Sequence, residues 1–179
     1  MMYLTLIRHT SVDVPSGMIY GQTDVPLCPS FEKEAEKIME QINSGFDVVY
    51  SSPLSRCMHL AQKISTLVKT DSRLIELNFG DWEGKYWNDI DQTPEAKMWF
   101  ADYVNTPAPN GESFADMIKR CRAFLEEIMT SNYNHICIVS HGGIIRAIKS
   151  IIENTPPGKA FDTQIGYGEM IQLITNTLE

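Results

Sequence analysis

The feature that most constrains this chain is an alternation. Short apolar runs of strand character are separated by stretches whose apolar residues recur every three or four positions. Residues 3–7 form the first run, and 47–51, 73–77, 135–140 and 169–175 the others. Between the first two runs lie Phe31, Ala35, Ile38, Met39 and Ile42 at helical spacing, with Ser30 placed to cap them. After Pro53, which a first helical turn tolerates, Leu54, Cys57, Ala61, Ile64 and Val68 make a second buried stripe. Ser113-Phe114-Ala115-Asp116 has the pattern of a capping box and opens a third helix, and residues 144–152 predict a fourth.

Strands separated by helices need right-handed crossovers. The expectation is an α/β fold, a mostly parallel sheet flanked by helices on both faces. A length of 179 residues without repeat, low-complexity tract or compositional break predicts a single domain. Between residues 79 and 111 the character changes: Trp82, Tyr86, Trp87, Trp99, Phe100 and Tyr103 crowd together with Pro94, Pro107 and Pro109. This predicts a cap-like insertion with a short helix at 94–104. Its rings fit two compatible readings, an aromatic mini-core and a substrate-facing wall.

The net charge of −8 argues against nucleic acid or an anionic membrane as partner, since both need a basic face. It leaves room for a small anionic substrate, because only the local field counts inside a pocket. No apolar run reaches the roughly 18 residues of a membrane span. The first residues lack the basic region of a leader and read as a strand. Cys28, Cys57, Cys121 and Cys137 show no C-x-x-C or metal-ligand spacing and come without secretory context, so reduced thiols, a cytoplasmic location and no zinc site are expected.

In parallel sheets the ligand sits beyond the carboxyl ends of the strands. There the sequence places Arg8-His9-Thr10, then Ser51-Ser52-Pro53-Leu54-Ser55-Arg56, Glu76, and His141-Gly142-Gly143. Each has a bland reading alone: a surface arginine, a structural histidine, an exposed carboxylate, a tight turn. His59 and His135 lack such company and read as helix-surface and strand-entry residues. Together the others fit phosphoryl transfer. Arg8 and Arg56 present planar forks to a phosphate, and the N–H groups near Gly142 add donors at a helix start. His9 is the nucleophile, kept neutral by the arginines beside it, and the chemistry needs no metal or other cofactor. Glu76 is expected to protonate the leaving oxygen and then activate water, while His141 holds the equatorial oxygens.

Leu6-Ile7-Arg8-His9-Thr10, the Tyr50–Arg56 and Glu76–Gly84 stretches and Ser140-His141-Gly142-Gly143-Ile144-Ile145-Arg146 resemble, in order, the signatures of the histidine phosphatase, or phosphoglycerate mutase-like, superfamily. The resemblance implies His9 as the phosphorylated residue, Arg8, Arg56 and His141 around the phosphate, and Glu76 as proton donor. It departs at Thr10, where the family usually has glycine; the added hydroxyl has two readings, a donor to the phosphate or a narrowing of the pocket. Tyr20-Gly21-Gln22-Thr23-Asp24-Val25-Pro26-Leu27 resembles the α-ribazole phosphatase branch of cobalamin biosynthesis, and Asp24–Leu27 also resembles the mutases. Gln22 and Thr23 are then expected in a loop over the site, offering side-chain hydrogen bonds to substrate. The expected activity is release of α-ribazole from α-ribazole 5′-phosphate. The alternatives are a phosphoglycerate mutase, a broad-specificity sugar or nucleotide phosphatase, and a silent scaffold that binds phosphorylated partners. Retention of all five central residues argues against the last.

Overall fold

A computed structural model describes residues 1–176. Five strands form one sheet: β1 (Met2–Arg8), β2 (Val48–Ser51), β3 (Val68–Thr70), β4 (His135–Ser140) and β5 (Met170–Thr175). Their order is β3-β2-β4-β1-β5; β1 pairs with β4, and β2 with both β4 and β3, in parallel, while β5 runs antiparallel to β1. The helices are α1 (Phe31–Met39), α2 (Ser55–Ile64), α3 (Trp87–Ile90), α4 (Pro94–Ala101), α5 (Phe114–Met129) and α6 (Gly142–Ile152).

The period of two along each strand sorts its side chains between two cores. Ile7, Val49, Cys137 and Val139 face Ala35 and Ile38 of α1 and Cys57, Leu60 and Ala61 of α2. Leu4, Leu6, Ile136 and Ile138 face the opposite layer, with Phe114, Phe124 and Leu125 of α5 and Ile144 and Ile148 of α6. Burying each such Leu, Ile or Phe stabilises the fold by about 1.5–3 kcal/mol. Ser113 accepts the Asp116 N–H and Asp116 accepts the Ser113 N–H, so the capping box of α5 forms. Ser30 caps differently from expectation: its hydroxyl donates to the Glu34 carboxylate and makes no bond to the backbone of α1.

Two expected elements move. The stripe ending in Val68 is cut after Ile64, where Ser65 turns extended, and β-branched Val68 pairs with Val49 as the start of β3. Residues 73–77 are not a strand. Asp71 accepts the Arg73 N–H and binds its guanidinium, folding Ser72–Leu74 into a 3₁₀ turn. The carbonyls beyond go to side chains: Arg120 donates to Arg73 and Glu76, and Ser140 to Leu74. With those acceptors taken, no ladder forms. The short helix of the aromatic segment, α4, starts at Pro94 as expected, capped by Thr93, and ends at Ala101.

Candidate active site

The register of the sheet assembles the site. Arg8 pairs with Ser140 and Ser51 with Val139, so the segments following β1, β4 and β2 leave the sheet side by side. His9 is fixed by its own N–H to the Ser140 carbonyl, 3.0 Å away, and is 2% exposed. Its ring Nδ1 lies 2.7 Å from the Thr10 carbonyl, which can only accept. The Nδ1 proton is thereby committed and the lone pair falls on Nε2. Burial pushes His9 down to about 3; the Thr10 bond opposes this, and Arg56 and Arg8 add to the depression. The neutral form is thus held first by burial, with the arginines contributing less.

His141 caps α6 and is fully buried, its ring edge-on to His9 with centroids 5.2 Å apart. Its Nε2 is 2.8 Å from the Ser52 hydroxyl, and the Cys57 sulfur packs at 3.5 Å. Burial drives His141 well below its ordinary value, with His9, Arg56 and Arg8 adding to it. Arg56 is the second residue of α2 and fully buried, giving one bond to the Thr23 carbonyl (2.8 Å) and one to the Gly21 carbonyl (2.6 Å). Arg8 gives one to the Ile165 carbonyl at 2.6 Å. Among the described residues four buried side-chain nitrogen or oxygen atoms have no hydrogen-bond partner, and three of them are Arg8 Nε, Arg56 Nε and Thr10 Oγ1. The hydroxyl that replaces the usual glycine is therefore buried beside the nucleophile with its bonding capacity unspent.

Glu76 follows the 3₁₀ turn. Its two oxygens accept the N–H groups of Leu77 (2.9 Å) and Gly143 (3.1 Å). A Cβ at Gly143 would stand 2.3 Å from Glu76 Oε1, so a larger residue there would push the carboxylate out of this position. Gly142 is the first residue of α6, so its N–H has no acceptor within the helix. Gln22 donates its side-chain amide to the Glu76 carbonyl, and Thr23 turns its hydroxyl onto the Glu83 carboxylate. Glu83 also accepts the N–H groups of Gln22, Thr23 and Phe79, so one carboxylate pins the loop whose carbonyls hold Arg56.

Arg8, His9, Tyr20, Gly21, Arg56 and Glu76 line a cavity of about 170 Å³, completed by Met18, Ile19, Phe79 and Trp87. Most aromatic residues of the 79–111 segment pack on one another: Trp87 stacks on Trp99 at 5.7 Å, and Trp82 and Trp99 are buried. Phe79 and Trp87 reach the cavity as well, so these rings form both core and wall. A larger cavity of about 440 Å³ sits at the other end of β1 beside Ile42 and Phe46; its lining has no arginine or lysine to hold a phosphate. His59 and His135 are exposed and do not line the cavity beside His9. No cluster of three or more His, Cys, Asp or Glu suited to a metal ion occurs among the described residues. None of their helices is long and apolar enough to cross a membrane.

Sequence reasoning passed over Ser52, Glu83, Arg146 and Tyr167. Arg146 lies one turn into α6: a Cβ on Gly142 would sit 3.0 Å from its Nη1 and 3.6 Å from Arg8 Cζ, so two guanidiniums share that corner. It stood inside the Ser140–Arg146 motif, with no charge pattern to mark it. Tyr167 had no sequence signal.

Phosphoserine phosphatase 1 of Hydrogenobacter thermophilus is 29% identical over 157 residues, which cover 83% of this chain and 74% of that protein. The adenosylcobalamin/α-ribazole phosphatase of Escherichia coli is 26% identical over 177 residues, 93% of this chain and 87% of the relative. The crystal structure of the α-ribazole phosphatase from Shigella flexneri superposes with a TM-score of 0.90 at 26% identity, covering 99% of this chain and 95% of that one. The model of the histidine phosphatase superfamily (branch 1) matches residues 4–177, nearly the whole chain, and the chain belongs to that family.

Proposed function

We propose that this metal-independent phosphomonoester hydrolase works through a phosphohistidine on His9, and that its substrate is α-ribazole 5′-phosphate. The observation that carries the mechanism is a neutral, carbonyl-anchored His9 beside three buried donors without a protein partner. His9 Nε2 attacks phosphorus as the ester P–O bond breaks, and Glu76 gives its proton to the leaving oxygen. Each Glu76 oxygen already accepts one N–H and keeps a second lone pair for that proton. Arg8, Arg56, Thr10 and the Gly142 N–H hold the equatorial oxygens as charge spreads, with His141 beside them. Water then loses a proton to Glu76 and attacks phosphorus. The P–N bond breaks, His9 recovers its lone pair and inorganic phosphate leaves.

The substrate assignment draws on the far wall of the cavity. Met18, Ile19, Tyr20, Phe79 and Trp87 are flat or apolar, which suits a benzimidazole better than a carboxylate. In this reading the Tyr20–Thr23 loop edges the ribose, with Gln22 and Thr23 exchanging their present bonds for its hydroxyls. The 79–111 segment acts as the cap of a single cytoplasmic domain that engages neither nucleic acid nor membrane. A second reading, a small phosphorylated acid such as phosphoserine, draws on Arg146 beside Arg8. Comparing kcat/KM for α-ribazole 5′-phosphate, phosphoserine and 3-phosphoglycerate decides between them, and the first is expected to be highest. Equal or better use of either acid removes the cobalamin assignment and leaves the phosphohistidine chemistry standing.

A further inference from the structure

Residues 165–169 belong to no catalytic motif, yet they grip the dipeptide that carries the nucleophile. The Gly168 N–H donates to the carbonyls of Arg8 (3.2 Å) and His9 (3.1 Å), and the Arg8 N–H donates to the Glu169 carbonyl at 3.1 Å. Gly168 does this at φ +68°, a conformation that favours glycine. Ile165 accepts from the Arg8 guanidinium. Tyr167 stands between these anchors. Its ring centroid is 4.0 Å from Arg8 Cζ and 5.6 Å from the centroid of the His9 ring. On the other side of the site the Tyr20 ring centroid is 5.3 Å from Arg56 Cζ. The two hydroxyls meet at 2.8 Å, joining segments 147 residues apart in the chain. Burial, and then the bond to Tyr167, raises Tyr20 above the ordinary tyrosine range, so its hydroxyl stays protonated.

Each phosphate-binding arginine thus carries a tyrosine ring, and the rings are tied to one another. Resting on the phosphohistidine reading, we infer that Tyr167 and Tyr20 are positioning residues for phosphoryl transfer, a paired aromatic backing that aims the Arg8 and Arg56 guanidiniums at the phosphoryl group. A carboxylate in the same place would occupy N–H donors and cancel charge that the phosphate needs. A ring holds the cation through its quadrupole and itself occupies no N–H donor. The hydroxyl bond fixes the spacing of the two rings, and through them the spacing of the two forks.

Vanadate, a phosphoryl mimic, is the probe. Its affinity is measured for wild type, Tyr167→Leu, Tyr167→Phe, Tyr20→Phe and the double Phe variant, alongside melting temperature and kcat/KM on a chromogenic phosphomonoester. Tyr167→Leu is expected to weaken vanadate binding roughly 3- to 30-fold, the range of a cation–π contact. Its melting temperature should hold, since Tyr167 is 42% exposed. Tyr167→Phe keeps the ring and recovers most of the affinity. Tyr20→Phe and Tyr167→Phe break the same bond, so the double variant should lose no more than the worse single one. Unchanged affinity in Tyr167→Leu, or Tyr167→Phe as weak as Tyr167→Leu, overturns the role of the ring; Tyr167→Met repeats that test if leucine disturbs the loop. Additive losses in the double variant overturn the tie. Wild type that neither binds vanadate nor labels on His9 overturns the phosphohistidine reading and this inference with it, whereas failure in the variants alone overturns only the inference.

Discussion

Around His9 the chain leaves buried donors unmatched, while a few residues along the cavity wall it packs ring on ring. At the strand ends Arg8 Nε, Arg56 Nε and Thr10 Oγ1 have no protein partner, and two histidines are buried against two guanidiniums. In the aromatic segment Phe79, Trp82, Trp87 and Trp99 meet with centroids 5.5 to 6.5 Å apart, and among the fully buried side-chain polar atoms described there one, the Trp99 indole N–H, has no partner. The first region is electrostatically frustrated and fits one kind of ligand, a compact tetrahedral anion. The second is relaxed, and its edge toward the cavity offers shape. In the proposed reading such a division separates chemistry from substrate choice: the phosphoryl end reads charge, and the aromatic end reads what the phosphate is attached to.

The hardest blow to the first region is His9→Ala. It is expected to abolish the acid-labile phosphoenzyme that rapid-quench labelling of the wild type should reveal, and to lower kcat by on the order of 10⁴-fold or more. The aromatic core has no part in this loss, so folding and melting temperature should be little affected. Label persisting in the variant would place the nucleophile elsewhere and break the comparison at its root.

A smaller effect, and one that sharpens the contrast, is expected from Trp87→Leu. The preference for α-ribazole 5′-phosphate over a small chromogenic ester should fall roughly 10-fold, the scale of a lost ring contact. The ratio of the two kcat/KM values is the readout, because any loss of folded protein cancels in it. A ratio that stays at the wild-type value would make Trp87 a core residue only, and the aromatic region would lose its claim on specificity.

How much of this was legible beforehand also divides along physical lines. Four of the strands and the capping box of α5 were visible because period and capping are local. The 73–77 stretch misled because Leu74, Ile75 and Leu77 look like a short apolar strand, while the side chains of Arg120 and Ser140, distant in sequence, take its carbonyls. His9, Arg8, Arg56, Glu76 and His141 could be named as candidates because chemistry restricts the residue type at each place. Glu83 was not: a carboxylate that gathers the N–H groups of Gln22, Thr23 and Phe79 looks in sequence like any surface acid. Tyr167 was hidden for the same reason, since a Gly-Tyr-Gly turn has no periodicity and acts through backbone bonds and a ring face.

The smallest effect is thermodynamic. His9 is held at about 3 in the folded protein and stands near 6.5 in the unfolded chain. Between those values the unfolded state binds a proton that the native state does not. Stability therefore rises with pH across that window, and is lost as pH falls below 6.5. His141, also depressed, acts in the same direction. Above the window both states are neutral and His9 contributes no slope. By pH 5 the loss attributable to His9 is roughly 2 kcal/mol, from about 1.4 kcal/mol per pH unit. The check is urea unfolding of wild type and His9→Asn at pH 7.5, 6.5, 5.5 and 5.0. Wild type should lose stability relative to the variant as pH falls, by about that amount. Trp87→Leu, whose missing ring carries no charge, should differ from wild type by the same margin at every pH. If the wild-type and His9→Asn curves stayed parallel, the buried nucleophile would not be held neutral by the fold, and the frustration that distinguishes the two regions would have to reside in the arginines alone.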